Sequence, residues 1–90
     1  MQMSDRELAA RILYKLIRRN KWNASHTPVE LLQWGIPVEL RGRAKALVEM
    51  LIKKNWLIVK KTGHGDDVYL NVNHADEIKE FVNKNLPSLT

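Results

Sequence analysis

The sequence predicts an α+β domain in which a small helical core is combined with a two- or three-stranded sheet. Three observations lead to this prediction. Residues 39–54 carry apolar side chains at helical spacing over about four turns. Two β-prone segments flank a glycine-containing tip at residues 62–67, and neither a repeat nor an internal linker divides the 90 residues. A chain of this length supports one hydrophobic core, so residues 1–90 are expected to form a single domain.

A first helix is expected from about residue 5 to residue 20, because a capping box precedes it. The Ser4 hydroxyl can accept a hydrogen bond from the amide of Glu7, and the Glu7 carboxylate can accept one from the amide of Ser4. Apolar residues then follow at helical spacing, namely Leu8, Ala9, Ile12, Leu13, Leu16 and Ile17. The helix is therefore expected to bury one broad apolar face.

A short second helix and a tight turn are expected before the four-turn helix. Residues 27–30, Thr-Pro-Val-Glu, form a second capping box and predict a helix at about residues 28–34, with Pro28 in its first position. Gly35 permits the left-handed conformation that ends a helix, and Pro37 cannot sit inside one. Helix, turn and helix in this order are the sequence form of a helix-turn-helix.

The four-turn helix at residues 39–54 separates into two faces when its residues are placed about 100° apart. The face expected to be buried carries Leu40, Ala44, Leu47, Val48 and Leu51. The opposite face carries Gly42, Lys45, Ala46, Glu49 and Lys53, with Arg41 and Arg43 beside it. The pattern indicates a helix that packs on one side and offers small and cationic side chains on the other.

A β-hairpin and a last helix complete the predicted elements. Residues 56–61 are β-prone, and apolar and polar residues alternate over residues 68–73, which is typical of a half-buried strand. Gly63 and Gly65 in the tip between them allow the positive φ angles of a hairpin turn. An amphipathic helix is expected at about residues 75–85, followed by a proline.

The order of these elements resembles the winged helix-turn-helix superfamily over nearly the whole chain. The segment SHTPVELL…GIPVELRGRAKALVEMLIKKNWLIVKKTGHGDDVYLN is similar to small uncharacterised archaeal winged-helix proteins, which share its His-Thr-Pro opening, Leu-Arg-Gly helix start and Val-x-Leu-Asn ending. The resemblance implies a three-helix core, a β-wing and an extra C-terminal helix, together with a short strand at about residues 24–26 that pairs with the wing. It also implies binding of double-stranded DNA, with helix 39–54 in the major groove and the wing, residues 60–67, on the backbone.

The charge distribution agrees with a polyanionic partner. The net charge is +5, and residues 1–61 hold thirteen of the fifteen Lys and Arg residues but only five of the ten Asp and Glu residues. Positive charge collected on one part of a small domain is typical of nucleic-acid-binding proteins, although a solvated basic surface would show the same pattern. Two features oppose phosphate contact: Glu49 lies on the outward helix face, and Asp66 and Asp67 lie near the wing tip.

The candidate DNA contacts combine groove-reading and phosphate-binding residue types. Arginine can bind O6 and N7 of guanine bidentately, and Arg and Lys both bind phosphates. Small residues on the outward face would let the helix backbone approach the groove, and adjacent lysines in the wing point to opposite faces of the strand. The predicted contacts are Arg41, Gly42, Arg43, Lys45, Lys53, Lys60, Lys61 and His64.

Other partners remain open at this stage. A winged helix can also serve as a protein-interaction module in a larger assembly, in which case Gly42, Ala46 and Ile58 would lie in the interface; RNA binding is a third possibility. The three tryptophans, Trp22, Trp34 and Trp56, either stack on single-stranded bases or cover the edges of a small core. A homodimer is also plausible, because one domain of this size covers few base pairs.

Several functional classes are not expected. The chain has no cysteine, so neither a disulfide nor a thiolate metal site can form, and the three histidines lack metal-ligand spacing. No catalytic motif is present, so neither an enzyme activity nor a cofactor is predicted. No apolar run reaches the length of about 18–20 residues that spans a bilayer, and the N-terminal segment does not resemble a secretory signal. The expected role is that of a cytoplasmic transcription regulator.

Overall fold

Three α-helices and a three-stranded antiparallel sheet form residues 3–86, the part of the chain that the computed structural model describes. The helices are α1 (Asp5–Arg18), α2 (Arg41–Lys53) and α3 (Ala75–Asn85), and the strands are β1 (Thr27–Pro28), β2 (Leu57–Thr62) and β3 (Gly65–Leu70). Short 3-10 helices occur at Val29–Gln33, Val38–Leu40 and Val72–His74. The strand order is β1-β3-β2. The predicted α+β class is confirmed, and the layout is compatible with that of a winged helix.

The first helix begins as predicted and ends two residues earlier than residue 20. The Ser4 hydroxyl accepts from the amide of Glu7 at 3.1 Å, but the Glu7 carboxylate accepts from Arg11 Nη2 at 3.2 Å instead of returning to Ser4. Only half of the capping box is therefore formed. Asn20 adopts a left-handed conformation with φ 55°, and this ends the helix because asparagine tolerates that region better than other non-glycine residues.

The predicted second helix is wrong in type and in its start. Thr27 lies in β1, where it pairs with Val68 of β3, so it does not cap the following segment, which has no side-chain cap and is a 3-10 helix, Val29–Gln33. The strand expected at residues 24–26 lies instead at Thr27–Pro28, and it does pair with the hairpin. Thr27 is buried, and β-branched residues such as threonine are enriched in strands; Pro28 is tolerated because β1 is an edge strand.

Helix α2 has the orientation expected for residues 39–54 but is shorter at both ends. Pro37 and the 3-10 helix Val38–Leu40 delay its start to Arg41. Asn55, with φ 66°, ends the helix as a left-handed cap, as predicted. On the inner face Ala44, Leu47, Val48 and Leu51 are buried and Leu40 is half-buried. In place of the expected core of three α-helices, the described residues have α1, the 3-10 helix Val29–Gln33 and α2.

The hairpin is tighter than the six-residue tip expected at residues 62–67. Its register runs from Leu57 opposite Leu70 to Thr62 opposite Gly65, so only two residues, Gly63 and His64, form the loop. The Thr62 hydroxyl donates to the carbonyl of Gly65 at 2.7 Å, and Gly65 has φ 129°, a region that side-chain-bearing residues avoid. Consequently the aspartates at positions 66 and 67 belong to β3 and not to the loop.

The core lies between α1, α3 and the inner face of the sheet, with α2 closing one side. Helix α1 supplies six of its buried residues, Leu8, Ala9, Ala10, Ile12, Leu13 and Leu16. Helix α3 contributes Ile78 and Val82, and its Phe81 ring packs edge-on against Trp56, with centroids 5.5 Å apart. The last helix is therefore part of the core, and it packs mainly on α1 and leaves the outer face of α2 uncovered.

Candidate nucleic-acid interface

The outer face of α2 is open to solvent along its length. Arg41, Gly42, Lys45, Ala46 and Lys53 are all exposed. A Cβ atom added at Gly42 would meet no heavy atom within 4 Å. The small residue at this position is therefore not needed for packing within the described residues, and a partner could approach the helix backbone there without obstruction.

Arg43, unlike the exposed cations of this face, is held by contacts within the molecule, because it connects the start of α1 to the start of α2. Its Nε donates to Asp5 Oδ1 at 2.9 Å, and its Nη2 donates to the carbonyl of Met3 at 3.0 Å and also to the Asp5 carboxylate. The positive charge of Arg43 is thus offset by a neighbouring acid. Within residues 3–86, Arg41 and Lys45 form no salt bridge with an acid, which makes them the more available cations in the first half of α2.

The second half of α2 is more mixed in character. A shallow groove of about 610 Å³ runs along Ala46, Glu49, Met50, Ile52 and Lys53. Glu49 and the half-exposed Met50 lie on this part of the helix, so its exposed surface combines an acid, an apolar side chain and the cation Lys53. Sequence reasoning placed Glu49 on this face, and the structure agrees.

The wing carries its two lysines on opposite sides of the hairpin. Lys60 lies opposite Asp67 in the register and Lys61 lies opposite Asp66. Lys61 Nζ is 3.7 Å from Asp66 Oδ1 at the surface, an arrangement that contributes little energy because both groups are solvated. His64 is exposed in the loop. The wing therefore offers exposed cations and an exposed imidazole, but its charge is partly balanced.

Asp67 is not an exposed wing residue, as its position near the tip suggested, but is only 7% exposed. Its Oδ2 accepts from His26 Nδ1 at 2.6 Å. Since a carboxylate only accepts, the hydrogen resides on Nδ1, and Nε2 is left to accept from Lys60 Nζ at 3.4 Å. Hydrogen bonds between the three side chains connect the segment before β1 to the wing. Sequence reasoning missed this connection, because His26 and Asp67 meet only through the β1–β3 pairing.

Replacing Asp67 with Ala is expected to lower the free energy of unfolding by about 1–3 kcal/mol, because His26 loses its buried acceptor. The control is Asp66→Ala, which removes an exposed carboxylate from the same strand and is expected to change the free energy by less than about 0.5 kcal/mol. Urea unfolding followed by circular dichroism measures both. Equal effects of the two substitutions would contradict the structural role of Asp67.

Comparison of the chain with known proteins identifies no relative. The chain matches no protein-family model, and neither a curated protein nor a solved structure is significantly similar to it. The proposals below therefore rest on the contacts and charges of the described residues.

Residues 3–86 bring no three His, Cys, Asp or Glu side chains together as a metal-binding cluster. None of their helices combines the length and the apolar character that crossing a bilayer requires. Every buried side-chain nitrogen or oxygen in this part of the chain has a hydrogen-bond partner.

Proposed function

We propose that this chain is a winged helix-turn-helix domain that binds double-stranded DNA, with α2 in the major groove and the β2–β3 hairpin as the wing on the backbone. The order of its elements, with β3 between β1 and β2, supports the fold assignment. The proposed role is that of a small transcription regulator and not of an enzyme.

The observation that carries this proposal is the uncovered face of α2 around Gly42. A helix with its side chains is about 10–12 Å across, and the major groove of B-form DNA is about 12 Å wide. Small outward residues at positions 42 and 46 let such a helix lie deep in the groove. Arg41 and Lys45, which are exposed and one turn apart, then reach base edges or phosphates.

The wing would add contacts outside the groove. Lys60 and Lys61 are exposed on opposite sides of the hairpin, so one of them faces the same phosphates as α2 and the other faces away. Lys53 lies at the end of α2, where it would bind backbone. Two copies of the domain on a symmetric site would extend the contacts, since dimers of this class bind half-sites one helical turn apart.

A salt titration of binding to a mixed-sequence DNA duplex tests the proposal. The logarithm of the binding constant is expected to fall linearly with the logarithm of salt concentration, with a slope of roughly −0.9 for each phosphate contact. Single-stranded DNA and duplex RNA serve as comparisons and are expected to bind more weakly. Absence of duplex binding at low salt would contradict the proposal, and stronger binding of RNA would assign a different nucleic acid.

A second candidate function is a protein-interaction module, and the groove along the second half of α2 favours it. Met50 and Ala46 give this groove an apolar floor, and Val38, just before α2, is exposed. Apolar and Met-rich surfaces of this kind adapt to protein partners. Under this alternative, the salt titration shows no duplex binding at any ionic strength.

A further inference from the structure

A second basic surface lies on the side of the molecule formed by α1. A cleft of about 490 Å³ separates α1 from the turn that follows the first 3-10 helix; it is called the α1 cleft here. Four cationic side chains line it, and the lining includes no carboxylate: Arg11, Lys15, Arg18 and Arg19. The cleft contains no residue of α2 or of the wing, so it is separate from the proposed DNA-binding surface.

The spacing of the cations explains why they meet. Positions 11, 15 and 18 follow one another at four and three residues, so their side chains lie on one face of α1. Arg19 follows at the end of the helix. The Arg18 guanidinium lies over the Tyr14 ring at 5.9 Å from its centroid, which positions the guanidinium in a way that leaves its N–H groups available.

Lys15 has a structural role within the cleft. Its Nζ donates to the carbonyl of Trp34 and to that of Leu32, the latter at 3.4 Å, and so fixes the turn at Gly35, which has φ 83°. Burial, followed by the nearby charge of Arg19, lowers the pKa of the Lys15 ammonium. A bound anion would offset the unfavourable charge that Arg19 places beside the Lys15 ammonium.

Trp34 supplies an aromatic surface next to these cations. Trp34 is among the residues that line the cleft and is 63% exposed, whereas Trp56 is buried and Trp22 is half-buried beneath Lys79 Nζ at 5.6 Å. Trp34 is therefore the tryptophan whose ring is most open, and it does not cover the core. Lys15 holds the backbone of Trp34, so this residue is fixed on the cleft that the arginines also line.

We propose that the α1 cleft binds a nucleoside phosphate, with the phosphates on Arg18 and Arg19 and the base on the indole of Trp34. Guanidinium groups bind phosphate oxygens with charge-assisted hydrogen bonds, and an aromatic face accepts any base by stacking. The volume of the cleft lies within the range of about 300–1,000 Å³ that is usual for small-ligand sites. Arg11 would contribute as well, since its partner Glu7 lies at the surface and such a pair is weak.

The probe that tests this proposal is ADP, followed by ¹⁵N NMR of the three tryptophan indole groups. ADP is expected to shift the indole signal of Trp34, which is assigned from the variant Trp34→Phe. The double variant Arg18→Gln/Arg19→Gln is expected to bind ADP at least about tenfold more weakly, because each lost charge-assisted contact has an effect of this size. Inorganic pyrophosphate and adenosine are each expected to bind more weakly than ADP.

The matched control is Arg41→Gln/Lys45→Gln, which removes the same charge from α2. This control is expected to leave ADP binding unchanged. Arg18→Gln/Arg19→Gln is expected to leave duplex DNA binding nearly unchanged. Failure of the ADP proposal can therefore be distinguished from failure of the DNA proposal. If the arginine variant does not fold, Trp34→Ala at the exposed turn tests the same site; it is expected to weaken ADP binding, which isothermal titration calorimetry measures without the Trp34 signal.

Three results would overturn the nucleoside phosphate proposal. The first is that millimolar ADP leaves the Trp34 signal in place. The second is that pyrophosphate binds as tightly as ADP, which would make the cleft a general anion site. The third is that a 5′-phosphorylated oligothymidylate displaces ADP and binds more tightly, which would assign the cleft to single-stranded nucleic acid.

Discussion

The double variant Arg41→Gln/Lys45→Gln is expected to bind duplex DNA roughly a hundredfold or more weakly than the parent, because two charge-assisted contacts are lost. The slope of the logarithm of its binding constant against the logarithm of salt concentration is expected to be less steep by the equivalent of about two phosphate contacts. Both side chains are exposed and, within residues 3–86, form no salt bridge, so thermal stability is expected to remain nearly unchanged. Fluorescence anisotropy with a labelled duplex at two or more salt concentrations measures both quantities.

The control for this variant is Lys79→Gln/Lys84→Gln, which makes the same change in net charge on α3. Both lysines are exposed, and α3 packs on α1 instead of bordering the outer face of α2. A small loss of affinity from the reduced net charge is expected. If this control loses as much affinity as the α2 variant, the binding depends on overall charge and α2 does not enter the groove.

Arg43 provides a comparison within α2 itself. Since its guanidinium already donates to Asp5 and to the carbonyl of Met3, binding DNA through it would require these contacts to be given up. If the domain binds DNA as proposed, Arg43→Gln is therefore expected to lower the affinity less than Arg41→Gln, although the two residues are close in sequence and of the same type.

Replacing Ile78 with Ala is expected to lower the free energy of unfolding by about 2–5 kcal/mol, since the substitution leaves a cavity at a fully buried position. Ile78 is 0% exposed and lies in the core formed with α1. Small domains are stable by only about 5–15 kcal/mol, so the loss is a large part of the total. Urea unfolding followed by far-UV circular dichroism measures it.

The control for the core substitution is Val72→Ala, close in sequence but about half exposed. It is expected to change the free energy of unfolding by less than about 0.5 kcal/mol. A small effect of Ile78→Ala would mean that α3 is not part of the core.

The elements that sequence analysis predicted well are those determined by local patterns. The apolar spacing of α2 identified the buried residues Leu47, Val48 and Leu51, and the same spacing placed Gly42 on the exposed side. Asn55 ended the helix as expected. These features depend on residues within a few positions of one another, which is the information that a single sequence contains.

The features that sequence analysis missed depend on contacts between distant segments. Thr27 and Glu30 have the spacing of a capping box, yet Thr27 pairs with Val68, and this pairing converts the predicted helix into a strand and a 3-10 helix. Arg43 was assigned to the groove from its residue type and its position beside the outward face near the start of the helix; its link to Asp5 exists only because α1 and α2 pack together.

The α1 cleft was also beyond sequence reasoning. Arg18 and Arg19 suited the negative end of a helix dipole as well as they suited phosphate. Trp34 could have covered the core or remained open. Only the fold brings Trp34 and the arginines to one cleft, and no local pattern indicates which tryptophan is exposed.

The position of β2 has a consequence for solubility. Within residues 3–86 this strand pairs only with β3, so in this part of the chain its other edge presents unpaired backbone N–H and C=O groups on which a second molecule could add a strand and begin an aggregate. Lys60 and Lys61 place two charges on this six-residue strand, and like charges repel between stacked copies. We therefore expect Lys60 and Lys61 to oppose self-association through this sheet edge, and replacing both with apolar residues is expected to promote it, whether or not either lysine contacts DNA.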